Sequence, residues 1–503
     1  MLNAGSRRVL LFSPPYEGKV FGPPLGLLSL ASSLRQANFE PVIIDGAVAP
    51  NFLNVIAREV QSCCAFGVSL LTGPMIRDAI AASKLVRECA PHVPIIYGGW
   101  HPTLLSGETL REDFVDIVVR HQGEITLTEV LRRLLDRSSL DLVAGCWFKR
   151  DGNIISNQDR PSISLSAFPP PAYELVDFEA YARLTGSRKL PFATSIGCPY
   201  ACNYCTDMVF YNRRFNPLDV SAVAQQAIDL VKRHNLEELS LIDSNFLVDT
   251  RRAIAIAREF LASGLRFRWT FQASTDLLCR LSDEEVKTLG ASGVSHIGFG
   301  TESASPEVLR KMHKGHQNIE DMFEAARKCG QAGIRVTFNL IFGYPGEEDS
   351  HRAETLRVMG RIAERHDHVT FSPNLFTPYP GIPIWPELRR LGLDAPRSLE
   401  EWASMGLGTT PLPWLAAASS KTLQRSMSYF FLANQLTKTS NKTRGRLAKA
   451  GCRLLQKPLY WRLKHDIFAV PVELWVSMAQ RWLVIRRSLL TGEALSRRFT
   501  EVH

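Results

Sequence analysis

Ten cysteines in 503 residues are too few for a disulfide scaffold. No run of about 18 apolar residues occurs, so the sequence predicts no membrane span. A secretory leader is also missing: residues 1–8 lead straight into an apolar stretch over 9–12 that is too short for a signal-peptide core and reads as a first strand. There is no internal repeat and no low-complexity segment, which excludes solenoid and collagen-like architectures. These absences predict a cytoplasmic protein whose thiols stay reduced and free to bind metal. Hydrophobic residues at 45% and charged residues at 22% are ordinary for a globular chain. At roughly 100–200 residues per domain, the length implies two to four domains.

What is present is unevenly placed. Residues 421–503 hold 16 Lys and Arg against 4 Asp and Glu, a net +12. The whole chain carries +9, so the first 420 residues sum to −3 and the basic character belongs to the tail. Over residues 8–145, short apolar runs alternate with helical stretches, the pattern of a doubly wound parallel sheet. Such sheets take ligands at the C-terminal ends of their strands. The loops there contain Pro14 and Pro15, Ser69 and Thr72, and the turn Gly98-Gly99-Trp100-His101. Residues 146–185 read as an irregular connector, with a hairpin-like turn at Asp151-Gly152. A second alternation over 186–390 offers six strand candidates, near 192–196, 238–242, 267–271, 296–300, 335–342 and 368–371. Six βα units make a parallel barrel, complete or partial, with its site at the strand C-termini. Residues 391–503 read as mainly helical, with interleaved aromatic and basic residues. The fold expected is therefore α/β: a domain over 1–145, a linker over 146–185, a partial (β/α)6 barrel over 186–390 and a helical region over 391–503.

The most specific signal is Cys198-Pro-Tyr-Ala-Cys202-Asn-Tyr-Cys205, placed just after a strand. A loop this tight can aim three thiolates at one point, and thiolates bind zinc and iron–sulfur clusters. A structural zinc takes four protein ligands, but the next cysteine is Cys279. Three ligands would leave one iron of a 4Fe–4S cluster open to a chelating small molecule. The other seven cysteines form no second cluster by spacing.

This arrangement resembles the signature of radical S-adenosylmethionine (radical SAM) enzymes. The resemblance covers about residues 190–385 and implies a 4Fe–4S cluster on Cys198, Cys202 and Cys205, whose open iron binds SAM. It further implies reductive cleavage of SAM to a 5′-deoxyadenosyl radical that abstracts hydrogen from the substrate. Tyr204 is similar to the aromatic that leans on adenine. The segment from Leu241 through Asp243 to Asn245 resembles the second-strand contacts to the SAM amino group. Glu302, in Gly298-Phe-Gly-Thr-Glu302-Ser303, resembles the carboxylate that meets the ribose. Asn339 and Gly343, in Asn339-Leu-Ile-Phe-Gly343-Tyr-Pro-Gly-Glu347, resemble the fifth-strand SAM segment. The turn Thr377-Pro-Tyr-Pro-Gly381 resembles one near the end of the barrel. Read alone, Glu302 is also a solvated strand-end carboxylate and Asp243 a helix N-cap.

A parallel sheet ahead of such a barrel resembles the cobalamin-binding domain of cobalamin-dependent members. That likeness rests on Pro14-Pro15, on Gly98-Gly99-Trp100-His101-Pro-Thr103 and on Gly123-Glu124-Ile-Thr-Leu127. It implies cobalamin contacts from Pro14, Pro15, Ser69, Thr72, Gly98, Gly99, His101, Gly123 and Glu124. No histidine stands in a D-x-H-x-x-G context, so the resemblance implies cobalt without a lower protein ligand, or a domain that docks without cobalamin.

Together these features point to a cobalamin-dependent radical SAM methyltransferase acting on an unactivated carbon. The alternatives are an oxidative cyclase or rearrangement enzyme, a tRNA methylthiotransferase (which needs a second cysteine triplet), and a zinc- or cluster-bearing binding protein. The expected partners are a small-molecule or lipid-like substrate and a reducing donor such as flavodoxin or ferredoxin. The tail, with Tyr429-Phe-Phe431, Trp461 and residues 475–482, reads as a lid on the barrel. Its other readings are contact with the inner face of a membrane and, less favoured, nucleic acid.

Overall fold

The computed structural model describes residues 6–17, 20–406, 410–442, 445–468 and 473. Seven strands form the first sheet: β1 (Arg8–Ser13), β2 (Glu40–Asp45), β3 (Ala65–Ser69), β4 (Ile95–Gly98), β5 (Ile117–Val119), β6 (Cys146–Arg150) and β7 (Asn153–Ser156), in spatial order β2-β1-β3-β4-β5-β6-β7. The strand period of two explains β1: Leu10 and Phe12 enter one core while Val9 and Leu11 enter the core on the opposite face. Both faces are covered by helices, so the strand is a continuous apolar run. Strands β1 to β5 pair in parallel, and the order reverses between β1 and β3. That reversal is where such sheets open a crevice for ligands.

Strands β1 to β5 are the expected parallel sheet, while the stretch read as an irregular connector opens with two further strands. β6 and β7 pair antiparallel around Asp151-Gly152 and extend the first sheet to Ser156. Cys146 and Phe148 supply the buried side of this hairpin, while its polar residues face out and hide the alternation. The connector also holds a helix, Phe178–Thr185, capped by the Asp177 side chain and ended by left-handed Gly186. Two hydroxyls clasp it: Tyr181 donates to Asp45 at 2.7 Å and Tyr173 to the Pro191 carbonyl at 2.6 Å.

The second sheet comprises β8 (Lys189–Phe192), β11 (Glu238–Leu241), β12 (Arg268–Ala273), β13 (Val294–Glu302), β14 (Arg335–Phe342) and β15 (Val369–Leu375), all parallel and in sequential order. This is the expected partial barrel. The first strand ends earlier than the expected 192–196. Residues Ser195–Ile196, β9, leave it to pair antiparallel with Asn216–Pro217, β10. Gly197 then turns with φ +78; a Cβ there would lie 2.0 Å from the Arg214 carbonyl oxygen, so only glycine fits.

At the far edge, helices Ala417–Lys442 and Arg446–His465 pack on β15 and on helix Asp349–Arg365. Asn434 brackets the Phe371 backbone, accepting from its N–H at 3.3 Å and donating to its carbonyl, which closes the open strand edge. Tyr429, Phe430, Leu459 and Leu463 are buried here, as a lid requires. The tail residues 475–482, Leu483, Arg486 and Arg487 lie outside the described residues. Among the described residues no helix is long and apolar enough to cross a membrane.

Candidate active site

The cysteine loop follows β9 and is clasped by the segment after helix Pro306–Lys311. Asn203 donates from its side chain to the Lys311 carbonyl at 2.9 Å and accepts from the Tyr344 hydroxyl at 2.8 Å. Tyr200 stacks on His316, with ring centres 4.1 Å apart, and its hydroxyl donates to Asp276 at 3.1 Å. Cys202 is buried, Cys198 and Cys205 half-buried. Burial pushes the Cys198 thiol up to about 11 and the Cys205 thiol up to about 12. Such thiols release their protons when a metal takes them. Among the described residues no three His, Cys, Asp or Glu side chains converge as ligands of a single ion. An iron–sulfur cluster asks for less convergence, because its thiolates sit on different irons.

Sequence reasoning missed Lys314. Its ammonium lies 2.8 Å from Glu302 and 3.2 Å from the Tyr204 hydroxyl, and that hydroxyl donates to the same carboxylate oxygen at 3.0 Å. Burial works against the lysine charge, yet Glu302, Cys202 and Cys205 together hold its pKa above the ordinary value. Gly300 makes the room: a Cβ there would lie 2.7 Å from the Glu302 carboxylate and 3.1 Å from Lys314 Nζ. Glu302 is therefore no solvated strand-end carboxylate, and Tyr204 is anchored through its hydroxyl.

The other expected SAM residues divide. Asp243 accepts from the Thr194 N–H at 2.8 Å, from the Thr194 hydroxyl at 2.6 Å and from the Ser195 hydroxyl. Arg252 secures the same turn through the Thr194 carbonyl at 2.6 Å. Asp243 thus braces the approach to Cys198 and caps no helix. Two residues on, Asn245 keeps Oδ1 buried without a partner, as do Asp276 Oδ1 and His316 Nε2 around the cysteine loop. Buried polar atoms normally find partners, so these orphans fit a polar cofactor. Asn339 faces the barrel interior and donates to Gln272 at 3.3 Å. The N–H of Gly343 is bound by Glu347 at 2.6 Å, its carbonyl by the Trp414 indole at 2.9 Å, and Leu412 and Leu415 lie against its Cα.

A cavity of about 830 Å³ lies between the two sheets, at the reversal of strand order in the first. Pro14, Ser69, Gly98, Gly99, Gly123 and Glu124 line it from the first sheet, and Ala193, Ile196, Phe210 and Ile242 from the second. Phe21, Leu71 and Ile242 expose apolar side chains into it, and Gly98 and Gly99 leave its wall flat, as the face of a corrin would need. Glu124 is fixed by the Ser29 hydroxyl at 2.7 Å. Pro15, Thr72 and His101 do not line it, a correction. Pro15 packs against Gly46. The His101 ring is fully buried, bonded to the Thr72 hydroxyl at 3.0 Å and edge-on to Trp402. Burial drives its pKa down to about 3. The turn and the cysteine loop meet where Trp100 stacks on Phe210 at 4.3 Å, and His121 bonds the Phe210 carbonyl at 2.8 Å.

The two halves match two known families. Residues 17–131 match the B12 binding domain and residues 193–359 the radical SAM superfamily. The chain is 27% identical over 391 residues to an uncharacterized methyltransferase of Pyrococcus horikoshii, covering 75% of this chain and 82% of that one. It is 28% identical over 365 residues to the anaerobic magnesium-protoporphyrin IX monomethyl ester cyclase of Synechocystis, covering 70% and 72%. Its fold resembles the radical SAM methyltransferase TsrM of Kitasatospora setae, solved with cobalamin and a 4Fe–4S cluster bound, at a TM-score of 0.65 and 18% identity over 79% of this chain and 81% of that one. Fold and site define a two-domain enzyme with a cofactor crevice over a cysteine-bearing barrel. The chain carries a match to the B12 binding domain ahead of a match to the radical SAM superfamily, the pairing expected of a cobalamin-binding radical SAM enzyme.

Proposed function

We propose that this enzyme is a cobalamin-dependent radical SAM methyltransferase that acts on an unactivated carbon. The observation that carries the reading is the apolar crevice at the switch point of the first sheet, walled on its other side by the helix that follows Cys205. The bound groups supply the chemistry: the 4Fe–4S cluster generates a radical from SAM, and cobalamin carries the methyl group.

The chain's own residues hold and orient. Cys198, Cys202 and Cys205 hold the cluster. Tyr204, Asn245 and Asn339 contact SAM, and Lys314 fixes Glu302 and Tyr204 in place for it. Pro14, Ser69, Gly98, Gly99, Gly123 and Glu124 hold cobalamin, with Phe21, Leu71 and Ile242 excluding water from its face. The domains proposed are 6–156 for cobalamin, 157–188 as connector, 189–390 as barrel, with helices Ala417–Lys442 and Arg446–His465 as the lid. A small-molecule or lipid-like substrate and a flavodoxin- or ferredoxin-type donor complete the proposal.

The test is product analysis with SAM labelled on its methyl group. Label retained in the product supports methyl transfer. A product changed in mass but free of label favours the second reading, an oxidative cyclase, which the Synechocystis relative supports.

A further inference from the structure

Helix Arg446–His465 has two apolar faces. Leu459, Tyr460 and Leu463 are buried against the protein. Leu447, Leu454 and Trp461 recur at intervals of seven, two helical turns apart, and so form a stripe on the opposite side. That stripe is bare: Leu447 is 90% exposed, Leu454 65% and Trp461 50%, with Leu455 beside them at 60%. Exposed single apolar residues are normal, but a contiguous row needs a partner.

Charge says which partner. Residues 417–465 carry eleven Lys and Arg and no Asp or Glu. Arg453, Lys457 and Lys464 run along one flank of the stripe. Arg453 and Lys464 pair with Asp367 and Glu364, both partly exposed, and such surface pairs are weak enough to exchange. Leucines and a tryptophan flanked by basic side chains match an amphipathic helix lying in a lipid interface. Each lysine or arginine near an anionic leaflet adds to the attraction.

We infer that this helix docks the enzyme on an anionic lipid surface, with Leu447, Leu454, Leu455 and Trp461 in the interface and Arg453, Lys457 and Lys464 at the headgroups. Docking needs no assumption about the reaction and stands apart from the methyltransferase reading.

The experiment sediments the full-length protein with vesicles of phosphatidylcholine, alone or with about 30 mol% phosphatidylglycerol. The protein pellets with the anionic vesicles and less as salt rises. Combining Leu454→Glu with Trp461→Glu lowers the bound fraction about tenfold or more. Both sites are exposed, so melting temperature and mass in solution stay unchanged. Failure to pellet, or equal pelleting of the variant, overturns the inference. So does a doubled mass in light scattering that the two substitutions abolish, which would assign the stripe to a second copy. Binding of single-stranded RNA in place of vesicles, lost in the same variant, would overturn it in favour of nucleic acid.

Discussion

Lys314 and Glu302 form an ion pair with both side chains about nine-tenths buried, and Tyr204 completes it. Removing one partner of such a pair leaves an uncompensated charge in the interior and costs about 3–5 kcal/mol. Lys314→Met should therefore lower stability by that amount, and adding Glu302→Gln should recover most of it. Urea unfolding of the single and double variants measures both; additive losses would mean the pair is not coupled. His101 makes a pH-dependent contribution. Its folded pKa of about 3 lies below the ordinary histidine value of 6.5, so the folded state prefers the neutral ring. Below pH 6.5 the unfolded chain takes up a proton that the folded chain refuses. Stability contributed by this residue is thus full above pH 6.5 and falls by about 1.4 kcal/mol per pH unit toward pH 3. His101→Gln should flatten the dependence of melting temperature on pH between 7 and 4; an unchanged slope would contradict the burial argument.

Among the elements, the turn after β4 and the short helix Thr206–Phe210 matter most, because they join the crevice to the cysteine loop. Trp100 stacks on Phe210 and meets Tyr211 edge-on at 5.5 Å. Two such contacts are worth about 0.5–1.5 kcal/mol each beyond the area they bury. Trp100→Ala should cost about 1–3 kcal/mol and release bound corrinoid on gel filtration; full retention of corrinoid would show that the contact does not shape the crevice. The segment from Leu412 to Leu415 acts at the later strands of the barrel, beyond the end of β14. By covering Gly343 and bonding its carbonyl through Trp414, it ties the helical region to the loop after β14.

At the scale of the whole molecule, the sequence made the strands legible wherever burial on both faces produced unbroken apolar runs, as in Val9 to Phe12. The β6–β7 hairpin was hidden because only Cys146 and Phe148 are buried and the turn looked like connector. Site legibility followed distance along the chain. The cysteines announce themselves within eight residues, whereas Lys314 meets Tyr204 across 110 positions and has no local pattern to mark it. His101 and Thr72 stand in the right turns, but only packing under Trp402 decides that they face away from the crevice. The central proposal is that one chain holds both a cluster and a corrinoid, with the Trp100–Phe210 contact joining the two regions. Its most direct test is anaerobic reconstitution of the wild type and of Cys202→Ala, reading iron, sulfide and the corrinoid spectrum together. The wild type is expected to hold about four irons and bound corrinoid, with the variant losing iron but keeping corrinoid. Zinc in place of iron, or a wild type that retains no corrinoid when cobalamin is supplied, would contradict it.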